Sequence, residues 1–223
     1  MSHQVIISGA SRSFPSVHPL IDSASASGDV LVLLGAPDLA SIADPGRYRV
    51  ILVELGTECL GVHTGEGRGT AGSNVLGFAR FRMGDAAPTD LVELVKQAHT
   101  TAAALDAAKA LFESAGLKVA VCNDFPGRIV DRLLRPYLNA ALRRLDEQLA
   151  TADDMDTTLK LGLGYPEGPI ALLERTGLAA HFDVTQALYQ ALGQEAYAPA
   201  RRAQVAKMRA KMRAKAPTPN NDK

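Results

Sequence analysis

The sequence lacks several features that would assign it to a class of protein at once. Its 223 residues include two cysteines, and Cys59 and Cys122 lie in apolar segments without the spacing of metal ligands. Such residues are typical of reduced, buried thiols, so we expect neither a disulfide nor a metal site and predict a cytoplasmic protein. Apolar runs of about 18 residues and the basic start of a signal peptide are both missing, which argues against a membrane span and an export signal.

An excess of either charge is missing as well. Lys and Arg total 24, as do Asp and Glu, and the formal net charge is zero. A neutral chain creates no long-range field that attracts nucleic acid or an anionic membrane, so neither is predicted as a partner. Residues 201–223 form a basic tail, with seven basic residues and no acid between positions 201 and 215. A basic helix can bind nucleic acid or lipid, but the few apolar residues here favour a solvated terminal helix.

The first half of the chain contains short, strongly apolar segments. QVIIS, DVLVLLG and RVILVELG are typical of parallel strands that are covered on both faces. Further strands are predicted at SNVLGFARFRM, TDLVELVKQ and LKVAVCND, and a helix at TAAALDAAKALFESAG. Weakly helical connections between the first strands favour right-handed βαβ units. We therefore predict an α/β domain over residues 1–121.

The second half is predicted to be an all-α helical bundle over residues 122–200. A long amphipathic helix is expected to begin at Pro126, with Pro136 inside it as a kink. Its apolar stripe consists of Ile129, Leu133, Leu134, Tyr137, Leu138, Ala141, Leu142 and Leu145. The capping box TADD and the turn GLGYPEGP delimit the next helix, and PIALLERTG and HFDVTQALYQALG follow as two more.

Three motifs in this half resemble the C-terminal helical domain of the 3-hydroxyacyl-CoA dehydrogenases. They are D-x-P-G, R-L-L-x-P-Y-L-N and L-G-L-G-Y-P-x-G-P, which follow one another with the spacing of that family. The resemblance implies NAD-dependent oxidation of a 3-hydroxyacyl-CoA in fatty-acid or aromatic-acid breakdown, including β-oxidation. It also implies that the helical domain binds acyl-CoA and forms dimers. The first half is similar to the shortened, Rossmann-related domain in the second half of tandem bacterial members.

The same resemblance implies where the catalytic groups belong, and two positions depart from the family. Ala79 occupies the place of the family's base, a His in a His-Phe-Phe-Asn-Pro segment. The acid that orients this base is retained as Glu93 in LVELV. Asp131 replaces an Asn that faces the reacting centre, and an ionised carboxylate only accepts hydrogen bonds. Because alcohol oxidation requires a base within hydrogen-bond reach, we expect no independent catalysis.

The two acids are expected to have a structural role instead. We predict that neighbouring arginines hold Glu93 and Asp131 in a charge network. The candidate arginines are Arg80, Arg82, Arg128 and Arg132.

His63 is the best substitute base elsewhere in the chain. It lies with Glu66 and Arg68 in a glycine-rich stretch, residues 58–74. Such a stretch fits either a loop that binds a phosphate or carboxylate, or a plain surface connection.

NAD is implied as a cofactor by the resemblance alone. A dinucleotide site needs a G-x-G-x-x-G turn after the first strand, so that backbone N–H groups at a helix N-terminus meet the pyrophosphate. This chain has GASRSFPS there, with one glycine and a proline in the expected helix. Two functions stay open. The chain is either an acyl-CoA-binding family member, as a homodimer, or a non-catalytic partner that docks with a full-length dehydrogenase.

Overall fold

The computed structural model describes residues 2–36, 38–65 and 73–215. The chain divides into two compact units. The first comprises Met1–Arg82 and Ala86–Arg132, and the second comprises Met83–Asp85 and Leu133–Lys223. The domain limits that the sequence indicates, at 121/122 and 200/201, stay predictions.

A six-stranded sheet forms the centre of the first unit, as far as the chain is described. Its strands are β1 (His3–Ser8), β2 (Val30–Gly35), β3 (Val50–Glu54), β4 (Val75–Arg80), β5 (Leu91–Lys96) and β6 (Lys118–Asn123), side by side in chain order. The first four are parallel to one another, β5 runs antiparallel to β4, and β6 is parallel to β5. The carboxyl ends of β1 to β4 therefore lie along one edge of the sheet.

Strands β2 to β5 are buried on both faces, as their unbroken apolar character predicts. The same prediction is wrong for the edge strand β1, where Ile6 and Ile7 are 43% and 55% exposed, because an edge strand has a neighbour on one side only. Val32 and Leu34 contribute to a core on one face, where helix α3 (Ala102–Ser114) packs against the sheet. Leu31 and Leu33 point to a second core on the opposite face. The other helical segments of this unit are short: α1 (Pro19–Asp22), α2 (Gly61–Thr64) and the 3-10 turns Leu39–Ser41 and Pro45–Arg47.

The second unit is helical. Its helices are α4 (Val130–Asp146), which begins in the first unit, α5 (Ala152–Leu163), α6 (Pro169–Thr176), α7 (Leu178–Leu192), the 3-10 turn Glu195–Tyr197, and α8 (Arg201–Lys215). Helix α8 is the basic segment, and it packs against α7. Lys207 of α8 donates a hydrogen bond to Asp183 of α7, and Arg202 donates one to Asp146. The predicted fold class, an α/β half followed by a helical half, is confirmed.

The long helix starts later than the sequence indicates. It was expected to begin at Pro126, but residues 126–129 form a turn in which Gly127 and Arg128 have φ of 75° and 51°. Left-handed residues cannot continue a right-handed helix, so α4 begins at Val130. Of the predicted apolar stripe, Leu138 is fully buried while Leu133 is 73% exposed.

A buried polar cluster lies inside the second unit. The Arg135 guanidinium lies 3.0 Å from Nδ1 of His181, whose Nε2 lies 3.0 Å from Oδ1 of Asn139. Because arginine only donates hydrogen bonds, Nδ1 accepts and Nε2 carries the proton. Burial, followed by the charge of Arg135, lowers the pKa of His181 to about 3, so the imidazole is neutral. This histidine has a structural environment.

In the part of the chain that the structure describes, we find no helix long and apolar enough to cross a membrane.

Candidate functional site

Glu93 lies in the interior of the first unit, directly across the sheet from Ala79. The two residues are register partners in the antiparallel pair of β5 and β4, and Glu93 is 1% exposed. Its Oε1 accepts hydrogen bonds from the backbone N–H groups of Ile129 and Val130, at 2.8 Å each. Its Oε2 accepts one from Nε of Arg128, at 3.2 Å. The carboxylate therefore caps the N-terminus of α4 and forms a buried ion pair.

The turn before α4 is tied to the segment that follows β3. Nη1 of Arg128 donates to the carbonyl of Gly56 at 2.8 Å, and the N–H of Gly127 donates to the carbonyl of Thr57 at 2.9 Å. The guanidinium of Arg128 thus contacts one carboxylate and one carbonyl. Asp131 is buried in the first turn of α4, where the partial positive charge of the helix N-terminus favours an acid.

The other arginines that were candidates for the charge network have different described contacts. Arg80 donates to the carbonyl of Thr89 at 2.9 Å, and Arg82 donates to the carbonyl of Ala86 at 2.6 Å. The guanidinium of Arg132 lies 5.3 Å from the centre of the Phe125 ring. The ion pair with Glu93 is thus made by Arg128.

His63, the proposed substitute base, lies in α2 beside another acid. Its Nε2 is 3.4 Å from Oε1 of Glu58. Burial alone would raise the pKa of Glu58, but the backbone N–H groups of Gly56 and Glu58, together with His63, lower it. The described contact of His63 is therefore with Glu58. Glu66 and Arg68, which share its glycine-rich stretch, lie outside the described residues.

Nucleophilic and metal chemistry find little support in the described residues. Burial, followed by the nearby charge of Glu93, raises the pKa of Cys122 to about 11. A thiol with so high a pKa stays protonated at neutral pH and is a poor nucleophile. No group of three or more His, Cys, Asp or Glu side chains is arranged to hold a metal ion in the described ranges.

The loop after β1 has a different construction from a dinucleotide-binding turn. The segment 9–18, all of it described, contains no helix, and the four-residue α1 begins only at Pro19. The N–H of Ser13 donates to Oε1 of Glu54 at 2.6 Å, and the N–H of Gly35, at the end of β2, donates to Oε2 at 2.7 Å. Both donors face an internal carboxylate, so these groups do not fit a cofactor pyrophosphate.

Sequence analysis does not single out Glu54 as a site residue, although the sequence contains a pattern that indicates it. It is the lone acid at the end of VILVE, an otherwise apolar and fully buried strand. An acid in that position must find several donors, because an unpaired buried charge is very unfavourable. Its partners lie 41 and 19 residues away in the chain, so the pattern alone could not identify them.

The fold and these contacts define a class of protein. A Rossmann-like α/β unit is followed by a helical unit, and the buried acid Glu93 caps the first helix of the helical half. Residues 127–217 match the family described as 3-hydroxyacyl-CoA dehydrogenase, C-terminal domain. The resemblance that the motifs indicate is therefore confirmed for residues 127–217.

Relatives in sequence carry related names. The chain is 36% identical over 110 residues to a 3-hydroxybutyryl-CoA dehydrogenase of Bradyrhizobium diazoefficiens, a match that covers 49% of this chain and 38% of that protein. It is 43% identical over 88 residues to the mitochondrial hydroxyacyl-coenzyme A dehydrogenase of Sus scrofa, covering 40% of this chain and 28% of that protein. The chain thus spans less than half the length of these curated relatives.

Solved structures support the fold. A 3-hydroxybutyryl-CoA dehydrogenase of Escherichia coli K12 is similar with a TM-score of 0.70 and 25% identity, over 88% of this chain and 42% of that one. The (S)-3-hydroxybutyryl-CoA dehydrogenase PaaH1 of Ralstonia eutropha has a TM-score of 0.66 and 23% identity, over 82% of this chain and 66% of that one. At 23% identity, the similarity to the Ralstonia eutropha enzyme concerns the fold alone.

Proposed function

We propose that this chain acts in acyl-CoA breakdown as a 3-hydroxyacyl-CoA dehydrogenase family protein that binds acyl-CoA without oxidising it. The observation that carries the proposal is the pairing of Ala79 with Glu93. The acid that would orient a catalytic base faces a methyl group, and both of its oxygens are engaged by Arg128 and the start of α4. The match of residues 127–217 to the family's C-terminal domain supports the acyl-CoA ligand.

Alcohol oxidation needs a group that removes the hydroxyl proton while a hydride leaves the same carbon. A positioned base typically contributes about 10²- to 10⁴-fold to such a step. Glu93 is a weak substitute, because three hydrogen bonds already occupy its two oxygens. In our proposal Glu93 stabilises the start of α4, Asp131 favours the same helix end, and His63 stays with Glu58. NAD follows from the family alone, and we propose that this chain does not bind it.

The second candidate is a non-catalytic partner that docks with a full-length dehydrogenase or with a second copy of this chain. Exposed leucines of the helical unit favour it. None of the residues of α5, all of which are described, is buried, and Leu161 and Leu163 are 83% and 63% exposed. Leu149, just before this helix, is 69% exposed. Neighbouring exposed leucines indicate a surface that is covered in an assembly.

The catalytic part of the proposal is tested with the purified chain, NAD and 3-hydroxybutyryl-CoA, and again with a longer or aromatic 3-hydroxyacyl-CoA. We expect no NADH formation above background, while a full-length family dehydrogenase provides the positive control. Robust turnover that is abolished by Glu93→Gln or His63→Ala would show a working base and end the non-catalytic proposal.

Ligand binding is measured separately by thermal shift with acetoacetyl-CoA. A ligand present at 100 times its dissociation constant should add about 2.7 kcal/mol to the free energy of unfolding. A saturable rise in melting temperature is the expected result. If the melting temperature does not change at millimolar acetoacetyl-CoA, the chain does not bind acyl-CoA and the partner function is favoured.

The partner function is tested by light scattering of the chain alone and mixed with a full-length family dehydrogenase. The double variant Leu161→Asp/Leu163→Asp should reduce the measured mass of any complex, because charges replace the apolar contact. Thr158→Asp, which adds a charge to the same exposed helix without removing a leucine, is the matched control. Identical masses for the double variant and the wild type would exclude α5 as the docking surface. The cytoplasmic location stays a prediction.

A further inference from the structure

Glu54 is held at a point of the first unit where several donors converge. It is the last residue of β3, at the edge where β1 to β4 present their carboxyl ends, and it is 4% exposed. Oε1 accepts from the N–H of Ser13 at 2.6 Å and from the hydroxyl of Ser11 at 3.0 Å, and Oε2 accepts from the N–H of Gly35 at 2.7 Å. Backbone N–H groups face both oxygens, so both oxygens of the carboxyl group act as hydrogen-bond acceptors.

These donors are fixed by the backbone. Gly35 has φ of 84°, and a Cβ on it would lie 2.5 Å from the carbonyl oxygen of Ser8 at the end of β1. The N–H of Ala36 donates to the same carbonyl at 2.7 Å. The ends of β1 and β2 are thus in close contact, and the N–H of Gly35 is held in place. N–H groups that converge on one point in this way can hold an anion.

In open α/β sheets, ligands bind beyond the carboxyl ends of the parallel strands, and a phosphate accepts hydrogen bonds from the loop after the first strand. Ser11 and Ser13 belong to that loop in this chain, and their hydrogen bonds are accepted by the carboxylate of Glu54. We infer that Glu54 is an internal anion that takes the place of a ligand phosphate in the α/β unit. The carboxylate stabilises the loop after β1 without a nucleotide, and it excludes one by charge as well as by occupying the donors.

The inference is tested by removing the carboxylate and supplying an anion from solution. Glu54→Ala leaves the three donors without an acceptor and opens space beside them, so it should lower the melting temperature. Inorganic phosphate and pyrophosphate should then restore part of the loss in a saturable manner, compared with sodium chloride at the same ionic strength. The wild type should show no saturable rise with phosphate, pyrophosphate or NAD.

Two further variants separate anion rescue from a general salt effect. Glu54→Gln fills the same space with an amide, so it should lower the melting temperature without rescue by phosphate. Glu113→Ala removes an exposed carboxylate of α3 and should match the wild type under all conditions. Equal phosphate effects on Glu54→Ala and Glu113→Ala would refute the inference, as would a saturable rise of the wild type with pyrophosphate or NAD.

A measurement on the wild type keeps the inference testable if Glu54→Ala does not fold. The N–H of Ser13 lies in a loop without regular structure, and Glu54 is its described acceptor. Its hydrogen exchange should therefore be slow, at a rate similar to that of the N–H of Gly35. Fast exchange at Ser13 would show that the carboxylate does not hold the loop. None of these measurements depends on dehydrogenase activity. A saturable rise of the wild type with NAD would contradict the proposed function as well, whereas the comparison of phosphate effects on the variants and the exchange of the Ser13 N–H test the inference alone.

Discussion

Removal of the Glu93 carboxylate should destabilise the protein strongly. Its side chain is 2% exposed and that of its partner Arg128 is 6% exposed, so the ion pair is shielded from water. Breaking a buried pair by removing one partner typically lowers the free energy of unfolding by about 3–5 kcal/mol. Glu93→Ala also leaves the N–H groups of Ile129 and Val130 without their acceptor, at about 1–3 kcal/mol for each buried group that stays unsatisfied.

These contributions overlap, since water and Arg128 can relax into the space, and we expect a total of about 4 kcal/mol for Glu93→Ala. Glu93→Gln keeps an oxygen that accepts from the helix start, but it replaces the charged acceptor of Arg128 with an amide NH2 group, so about 2 kcal/mol is expected. The free energy of unfolding of a typical domain is about 5–15 kcal/mol. Both decreases are therefore large enough to be measured by urea denaturation followed by circular dichroism.

A double-mutant cycle isolates the ion pair from the helix cap. Arg128→Met removes the buried charge while retaining a side chain of similar length in the same left-handed backbone. Glu93→Ala combined with Arg128→Met should therefore be less destabilised than the sum of the two single changes. If the free energy of unfolding of Glu93→Ala is within about 1 kcal/mol of the wild-type value, Glu93 does not have the structural role assigned to it. Additive effects of the two single changes would lead to the same conclusion.

Two further predictions concern the helical unit. The pKa of His181 is about 3 in the folded protein, compared with 6.5 for an ordinary histidine. Between these two pH values the unfolded chain binds more protons than the folded protein. The free energy of unfolding must therefore fall as the pH falls through this range. At about 1.4 kcal/mol per pH unit, the loss from pH 6.5 to pH 5 is about 2 kcal/mol, and His181→Gln should remove this part of the pH dependence of urea unfolding. An unchanged slope in that variant would contradict the prediction. Leu138→Asp should lower the free energy of unfolding by about 3–5 kcal/mol, because it places a charge in an apolar interior. Ala140→Asp, at an exposed position of the same helix, should lower it by about 1 kcal/mol or less, and equal effects of the two changes would show that the stripe is not buried.

Much of the fold follows from local patterns in the sequence. The strands β2 and β3 are recognisable because every residue of VLVLL and VILVE is buried, which leaves an unbroken apolar run. Helix ends are equally local, since Thr101 and Thr151 accept hydrogen bonds from backbone N–H groups three residues further on. The motifs of the helical half identify the family for the same reason, because residues that are close in the chain carry them.

The sequence by itself determined most of the strands and helices, but only the tertiary structure decided what the buried acids do. Four arginines are candidate partners of Glu93 in the sequence, and the left-handed turn at Gly127 and Arg128, 35 residues further on, brings one of them to it. The donors around Glu54 come from the loop after β1 and from the end of β2. A charge responds to whatever lies within a few ångströms, and that set of neighbours is assembled by strand pairing over long separations, which a local pattern does not encode.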